Sequence, residues 1–409
     1  MTELGGPTTQ SERILSLDVL RGFAVLGILV MNIQAFSMIG AAYFNPTAYG
    51  DLTGLNYLVF LLSHLLTDMK FMSIFSMLFG AGIVLMAERM EARGGRPAGV
   101  HYRRTLILLL FGIAHAWILW TGDILYTYAM CALLVYLFRK KQPKTLIILG
   151  VTSIAVASVI SIAGQFSIQF WPEESLSQIA KLWAPLQGQV AAELEAYRGG
   201  WSAQNEHRFM AALSMETGAF LWSISWRAGG MMLVGMGLFK MGVFSADLPG
   251  RTYRKLILAA LVLGLPLSAA GVWYHTSTNW TLEQGFFGGM QFNYWGSLFV
   301  ALGWVGAVML FCQKWPGSRL YRSLAATGQM ALTNYLMQTL ICTTLFYGHG
   351  FGLYGSVERT GQILIVFAVW AVELLWSPWW LARFRFGPFE WLWRSLTYMR
   401  LQPIRRGEP

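Results

Sequence analysis

Charged residues are scarce in this sequence. Asp, Glu, Lys and Arg together make up 12% of the 409 residues, whereas hydrophobic residues make up 55%. Soluble globular chains carry about twice that share of charge, so the composition excludes a soluble enzyme or binding module. Apolar stretches of about 20 residues recur along the chain instead, and they predict an all-α integral membrane protein.

Cysteine is also rare, and the three cysteines lie inside apolar runs. They predict neither a disulfide framework nor a metal site, and the histidines and acids also lack metal-ligand spacing, so no metal is expected. The polar N-terminus has no basic region followed by a short apolar segment and a small-residue cleavage site. We therefore expect no removable signal peptide, and the first apolar segment should remain in the membrane.

The net charge of +10 does not predict nucleic-acid binding, because Lys and Arg form no single patch. They fall in short loops that alternate with connections lacking both residues, as expected of cytoplasmic loops in membrane proteins. The pattern predicts about ten transmembrane helices with both termini in the cytoplasm. The predicted spans are roughly 19–40, 69–87, 104–121, 123–139, 145–168, 217–239, 254–275, 285–312, 324–348 and 360–382.

The remaining segments define the predicted organisation around these spans. Residues 1–18 should form a cytoplasmic tail, 19–386 the transmembrane domain, and 387–409 a cytoplasmic amphipathic segment that combines Trp391, Trp393 and Tyr398 with arginines. The long acidic connection 169–216 predicts one or two short helices on the outer side. Residues 55–67 predict an interfacial helix before a span that begins near Asp68 and Lys70.

Ionisable residues inside the predicted spans are costly and therefore need a partner or a function. Arg227, in the middle of the sixth span, and Glu373, at a similar depth in the tenth, predict either a structural ion pair or a ligand-binding arginine. His115, midway along the third span, is either a neutral histidine that bonds a neighbouring carbonyl or a general base.

Two further groups of polar residues share helix faces. Asn334 and Gln338 are four residues apart in the ninth span, which suits hydrogen bonding between helices or a functional polar stripe. Asp18, Arg21 and Asn32 fall on one face of the first span, where Gly22 and Gly27 leave space. Asp18 and Arg21 predict either a structural salt bridge or a cytoplasmic slot for an anionic group.

Five segments carry a resemblance to a known family. The sequence resembles the YeiB family of bacterial inner-membrane proteins over nearly its whole length, through the stretches RILSLDVLRGFAVLGILVMNI, KFMSIFSMLFGAG, LLFGIAHAWILWTGDILYTYAM, GQMALTNYLMQTLICTTLFY and FGPFEWLWRSLTY. Its first span, with the D-x-x-R-G signature, also resembles the wider transmembrane acyltransferase superfamily, which includes heparan-α-glucosaminide N-acetyltransferase. The likeness implies residence in the bacterial inner membrane.

The superfamily resemblance implies transfer of an acyl group from cytoplasmic acyl-CoA to an acceptor on the far side of the membrane. Asp18, Arg21 and Asn32 would then line the donor tunnel, with the basic loop residues Arg103 and Arg104 near the phosphates. The heparan enzyme has a catalytic histidine in the loop after its first span. The comparable stretch here reads NPTAYG, with Asn45 and no histidine.

If His115 replaces that histidine as the base, Asp123 at the outer hairpin would assist it, and Asn334 or Gln338 would donate to the developing oxyanion. The predicted tunnel set is completed by Arg227, Glu373, Asn45 and Lys70. The expected partners are membrane lipids and a glycan, lipid or small-molecule acceptor, and a homodimer is one expected assembly. The alternative function is a transporter, or a lipid- or glycan-handling protein without acyl-transfer chemistry.

Overall fold

A computed structural model describes residues 13–407 of the chain. Residues 1–12, which comprise the leader prediction and most of the predicted tail, and the last two residues of the predicted C-terminal segment lie outside the described residues. Within 13–407 the fold is all-α, and the single β-bridge joins Phe384 to Arg405.

Nineteen α-helices follow one another along the described chain. They are α1 (Leu15–Ser37), α2 (Gly40–Phe44), α3 (Gly54–Leu66), α4 (Lys70–Ala92), α5 (Pro97–Ala114), α6 (Leu125–Val135), α7 (Pro143–Ser167), α8 (Glu173–Trp183), α9 (Gln187–Arg198), α10 (Asn205–Ser214), α11 (Ser225–Lys240), α12 (Gly250–Ala259), α13 (Leu265–Ser277), α14 (Leu282–Gln284), α15 (Met290–Lys314), α16 (Arg319–Gln329), α17 (Ala331–Phe346), α18 (Arg359–Leu381) and α19 (Pro388–Tyr398). Several are extended by π-helical turns, at His115–Leu119, Met215–Ile224, Ala260–Gly264 and Gly285–Gly289.

Seven helical stretches of the described chain are long and apolar enough to cross a membrane, so the protein is a multi-pass membrane protein. Each coincides with a span predicted from hydropathy. They are Leu15–Ser37, Gly54–Ala92, Pro97–Leu119, Pro143–Phe170, Gly250–Ser277, Leu282–Lys314 and Arg359–Leu381.

The other three predicted spans are helical but less clearly membrane-spanning. The fourth is the short apolar stretch Leu125–Phe138. The sixth contains Arg227 and several glycines, and the ninth is broken at Met330 into α16 and α17. The count of ten spans and the cytoplasmic location of both termini therefore stay predictions.

The helix is interrupted between α3 and α4, where the length of the apolar segment predicted an interruption. Met69 adopts the left-handed conformation with a φ of 62°, and Lys70 begins α4. Residues other than glycine rarely adopt this conformation, so packing around Met69 must stabilise the interruption. A helix thus begins at Lys70, as expected, whereas the start of the membrane span itself at this point stays a prediction.

The connection 169–216 contains three helices, α8, α9 and α10, rather than the one or two expected. The third was missed because α10 runs into the π-helical segment Met215–Ile224 and then into α11 without a loop. The predicted sixth span is thus the C-terminal part of a longer helical stretch.

Glycines set the closest helix contacts of the bundle. A Cβ atom on Gly22 of α1 would overlap the carbonyl oxygen of Leu324 in α16, and a Cβ on Gly328 would overlap that of Asp18. The two backbones therefore touch, as small residues allow in membrane bundles. The space expected beside Gly22 and Gly27 is filled by protein: α16 occupies the first and the ring of Phe71 the second.

The C-terminal helix α19 packs against α5 and α17. The indole N–H of Trp393 donates to the carbonyl oxygen of Arg104 at 2.9 Å, and the Glu390 carboxylate accepts from the backbone N–H of Thr333 at 2.9 Å. These contacts hold α19 against the N-terminal halves of α5 and α17.

Candidate functional site

A cavity of about 280 Å³ lies between α1, α4, α5, α17 and α19. Five arginines and two carboxylates line it, together with a largely apolar wall. The charged residues are Arg13, Asp18, Arg21, Arg89, Arg104, Glu390 and Arg394. Apolar residues of the wall include Leu17, Ile28, Leu78, Phe79, Leu108 and Leu332.

The N-terminal turn of α1 forms one side of the charged mouth. Asp18 accepts from Arg21 at 2.8 Å and from Arg13 at 3.4 Å. The expected salt bridge therefore exists and also lines the cavity, while the slot for an anionic group stays a prediction. Asp18 partly neutralises the two guanidinium groups and holds them in place.

The opposite side of the mouth is formed by α5 and α19. The guanidinium of Arg104 lies 3.9 Å from the centroid of the Trp393 ring, which is a cation–π contact. Arg394 lies next to this pair. Burial, followed by repulsion from Arg13, lowers the pKa of Arg394 to about 10, so its side chain remains a cation at neutral pH.

The other end of the cavity reaches Tyr335 of α17. Gln338, one turn further along α17, donates to the carbonyl of Val25 at 3.1 Å. Val25 is two helical turns, about 10 Å, beyond Asp18 on α1. The cavity thus extends from the charged mouth into the interior of the bundle.

The hydroxyl of Tyr335 is buried and makes no hydrogen bond of standard geometry within residues 13–407. The ring of His115 lies against that of Tyr335, with 5.2 Å between the two centroids. The backbone N–H of Ile124 lies near this hydroxyl oxygen, whereas the hydroxyl proton has no acceptor within the described residues.

His115 begins the π-helical turn that ends α5, and π-helical turns occur frequently at functional sites. Its Nδ1 lies 2.8 Å from Oδ1 of Asp123. The other carboxylate oxygen of Asp123 accepts from the backbone N–H of Tyr126 at 2.6 Å, at the start of α6. The side chains of the pair are 1% and 2% exposed, so they interact away from water.

The Nε2 atom of His115 lies 2.9 Å from Oγ1 of Thr339 in α17. An ionised carboxylate can only accept, so we assign the ring proton to Nδ1 and the lone pair to Nε2. The Thr339 hydroxyl then donates to Nε2. Asp123, His115 and Thr339 form one buried hydrogen-bonded chain.

The connection 169–216 holds the turn that carries His115. Arg208 donates to the carbonyl of Trp117 at 3.0 Å, and the Trp117 indole donates to Glu216 at 2.8 Å. Burial lowers the pKa of Arg208, although neighbouring tyrosines oppose the shift. These contacts restrain the backbone on either side of the histidine.

Gln338 and Asn334 bond to neighbouring helices rather than to His115. Gln338 donates to Glu373 at 3.1 Å. Asn334 donates to the hydroxyl of Ser377 at 3.1 Å and accepts from the indole of Trp376 at 2.9 Å. These contacts favour the interpretation as helix–helix hydrogen bonds, and a catalytic role for either residue stays a prediction.

The ion pair expected between Arg227 and Glu373 is wrong. Arg227 donates to the carbonyl of Tyr294 at 2.8 Å and to the hydroxyls of Ser73 and Ser297 at 3.0 and 2.7 Å. Its guanidinium also lies over the Tyr294 ring. Similar depth in the membrane did not imply contact, because α11 packs against α4 and α7 instead of α18.

Four further predicted residues lie away from the cavity. Lys70 donates to the carbonyl of His64 and to Asn293, at 2.7 and 2.6 Å, while Asn45 donates to the Trp183 carbonyl at 3.0 Å. Neither Asn32 nor Arg103 lines the cavity. Of the residues predicted to bind acyl-CoA, Asp18, Arg21 and Arg104 thus line the cavity together.

Sequence reasoning missed Thr339, Tyr335 and Arg394. Tyr335 and Thr339 lie four positions apart in α17, which is about one helical turn. Both belong to the segment in which Asn334 was identified as a candidate. Serine and threonine hydroxyls in membrane helices usually bond to their own backbone, so a threonine such as Thr339 gives little indication of a function in the sequence. Arg394 was grouped with anchoring residues of the C-terminal segment.

Comparisons with known proteins support one family. Residues 238–400 match the family described as protein of unknown function, DUF418. The chain is 34% identical to the uncharacterized protein YxaH of Bacillus subtilis, over 98% of each chain. It is 32% identical to the uncharacterized protein YeiB of Escherichia coli, over 96% of this chain and 98% of that protein. No solved structure matches.

Proposed function

The chain belongs to the YeiB-like family of DUF418 membrane proteins, and we propose that it is a transmembrane acyltransferase of the bacterial inner membrane. It would move an acyl group from cytoplasmic acyl-CoA to a hydroxyl or amine of a glycan, lipid or small molecule on the other side. One observation supports this most directly. The cavity extends from an arginine-rich mouth to Tyr335, whose ring contacts the buried His115–Asp123 pair.

The mouth suits the anionic end of acyl-CoA. Arg21, Arg104 and Arg394 approach it from three different helices, and guanidinium groups bind phosphates by paired charge-assisted hydrogen bonds. The apolar wall behind the mouth suits the acyl chain, because the aliphatic and aromatic side chains there offer no polar competitor. The thioester would then lie near Tyr335.

His115 is the proposed general base. Asp123 orients the imidazole and stabilises the imidazolium that forms when Nε2 takes a proton from the attacking group. The Tyr335 hydroxyl, which has no bond of standard geometry within residues 13–407, would donate to the oxyanion that develops on the thioester carbonyl. Tyr335 thus takes the role expected of Asn334 or Gln338, and its position at the cavity supports the change.

The test is consumption of acyl-CoA by the purified protein in detergent or nanodiscs. We expect release of free CoA thiol with acyl-CoA and a mixture of glycan and lipid acceptors, measured with a thiol reagent, and labelled acyl product. His115→Gln keeps the size and polarity of the side chain but removes the base. Thiol release by that variant at the wild-type rate would contradict the proposal.

Transport without chemistry has less support. Arg227 and Lys70, which would line a passage, have buried protein partners and do not line the cavity. Solute uptake into proteoliposomes that is lost in Arg227→Met and unchanged in His115→Gln, without thiol release, would establish this alternative instead.

A further inference from the structure

We propose that Thr339 is a covalent nucleophile, which accepts the acyl group from CoA as an ester before the group passes to the acceptor. This inference rests on the proposed acyl transfer and names its intermediate. Its geometric basis is the contact between the Thr339 hydroxyl and a histidine that is itself held by a carboxylate.

The three side chains have the order of a nucleophile, a base and an orienting acid. Thr339 Oγ1 is 2.9 Å from His115 Nε2, and His115 Nδ1 is 2.8 Å from Asp123. Both are hydrogen-bond distances. The first lets His115 remove the Thr339 hydroxyl proton, and the second lets Asp123 orient the imidazole. The same constellation occurs on unrelated folds and is identified by geometry rather than by sequence position.

A structural role for the Thr339 hydroxyl is the competing explanation. In membrane helices such a hydroxyl normally donates to the carbonyl one turn before it, as that of Thr343 does to Thr339 at 2.8 Å. The corresponding distance from Thr339 to the Tyr335 carbonyl is 3.4 Å, longer than the 2.9 Å to His115. The single hydroxyl proton is therefore directed at the imidazole.

Thr339 lies behind the part of α17 that lines the cavity and does not line it itself. Ala331, Leu332 and Tyr335 line the cavity, and Thr339 lies one helical turn beyond Tyr335 on the same face. Thr339 is 1% exposed, with the Tyr335 ring at the end of the cavity. The proposed step requires the Tyr335 side chain to move aside, so that a thioester carbonyl in the cavity can reach the Thr339 oxygen.

A covalent intermediate suits a site with one charged mouth. CoA would enter and leave by the arginines, while α10 of the 169–216 connection contacts the other side of the His115 turn through Arg208. With the acyl group held on Thr339, CoA can leave before the acceptor reaches the site. The donor and the acceptor need not occupy the interior together.

The chemistry has two balanced halves. In the first, Thr339 Oγ1 bonds to the acyl carbon, the carbon–sulfur bond breaks, and the hydroxyl proton passes through His115 Nε2 to the CoA sulfur. In the second, the acceptor oxygen or nitrogen bonds to the acyl carbon and gives its proton to His115. The bond to Thr339 then breaks, and that proton returns to Thr339.

The test is a single turnover without acceptor. Full-length protein is mixed with a short-chain acyl-CoA, quenched in acid, and measured by thiol release and intact mass. We expect a burst of up to one CoA per chain and a matching gain of one acyl mass, which fragmentation places on Thr339. Thr339→Val should reduce the burst and the adduct at least tenfold, and Thr339→Ser should restore both.

Thr343→Val is the matched control, because it removes the next hydroxyl along α17 from a residue outside the catalytic chain, and it should keep the burst. Turnover with acceptor but no adduct, undiminished turnover in Thr339→Val, or an adduct on Tyr335 would each overturn the covalent proposal while leaving acyl transfer intact. Absence of thiol release with every acceptor would instead overturn acyl transfer itself.

Discussion

The Nε2 atom of His115 lies 2.9 Å from the hydroxyl oxygen of Thr339, a residue 224 positions further along the chain. The contact joins the π-helical end of α5 to the middle of α17, two elements that share no local sequence signal. Together with Asp123 it forms a hydrogen-bonded chain that is almost completely shielded from solvent.

Removing the orienting carboxylate should impair catalysis more than folding. Asp123→Asn leaves a hydrogen-bond partner of the same shape but lets the imidazole adopt the wrong tautomer. We expect acyl-CoA turnover to fall by roughly 100-fold or more, measured as thiol release, with an unchanged elution profile in size-exclusion chromatography. Retention of near-wild-type turnover in folded Asp123→Asn would contradict the role given to His115.

Tyr335→Phe should lower kcat while leaving the KM for acyl-CoA nearly unchanged. The ring that ends the cavity is kept, but the hydroxyl proposed to meet the oxyanion is lost. Removal of one such donor lowers turnover by roughly 100-fold. Steady-state kinetics at saturating acyl-CoA measures this, and a change confined to KM would show that the hydroxyl acts in binding only.

The two neighbouring arginines of α5 should differ. Arg104 lines the mouth and Arg103 does not, so Arg104→Ala should raise the KM for acyl-CoA by roughly tenfold, about 1.5 kcal/mol for a charge-assisted contact. Arg103→Ala should have little effect. The Arg104 contribution should weaken as salt is raised, because mobile ions screen exposed charges. Equal effects of the two substitutions would favour the sequence-based expectation over the structure.

Gly22→Ala should destabilise the protein through the contact between α1 and α16. The added methyl group meets the backbone carbonyl of Leu324, which cannot move like a flexible side chain. We expect a loss of about 1–3 kcal/mol or more, seen as a lower melting temperature in detergent. Gly218→Ala is the control, because a Cβ there meets no atom within 4 Å, and a similar loss in both variants would refute the explanation.

Arg227 and Glu373 should be energetically independent. Arg227→Met and Glu373→Gln should each reduce thermal stability, because Arg227 loses its contacts to Ser73, Ser297 and Tyr294 and Glu373 its contact to Gln338. The double variant should equal the sum of the two within about 0.5 kcal/mol. A coupling energy well above that value would restore the ion pair that the structure excludes.

Much of the helical framework follows from hydropathy and loop charge. A run of apolar residues bounded by arginines has few alternatives in a membrane, because unpaired backbone groups are too costly there. The start of α4 at Lys70 was predictable because residues 55–90 are too long for one perpendicular crossing. The third helix of the 169–216 connection was not, because α10 continues into the next helical stretch and leaves no boundary signal.

The site was less predictable than the helices. Single residues such as His115 and Arg21 stand out because they are polar in apolar surroundings. Their partners depend on which helices pack together, and that is set by contacts such as Gly22 against Leu324 that many sequences would permit. For this reason Arg227 was assigned the wrong partner, while Thr339 was not singled out.

The mouth of the cavity brings together Arg13 and Arg394, which come from opposite ends of the described chain. During biosynthesis α1 leaves the ribosome before the other described helices. The entrance is complete only after α19, the last of them, has been synthesised. Such distant pairing is slow to form. A nascent or truncated chain without α19 would therefore lack Glu390, Trp393 and Arg394 at the cavity, so the proposed acyl transfer would begin only after α19 has docked.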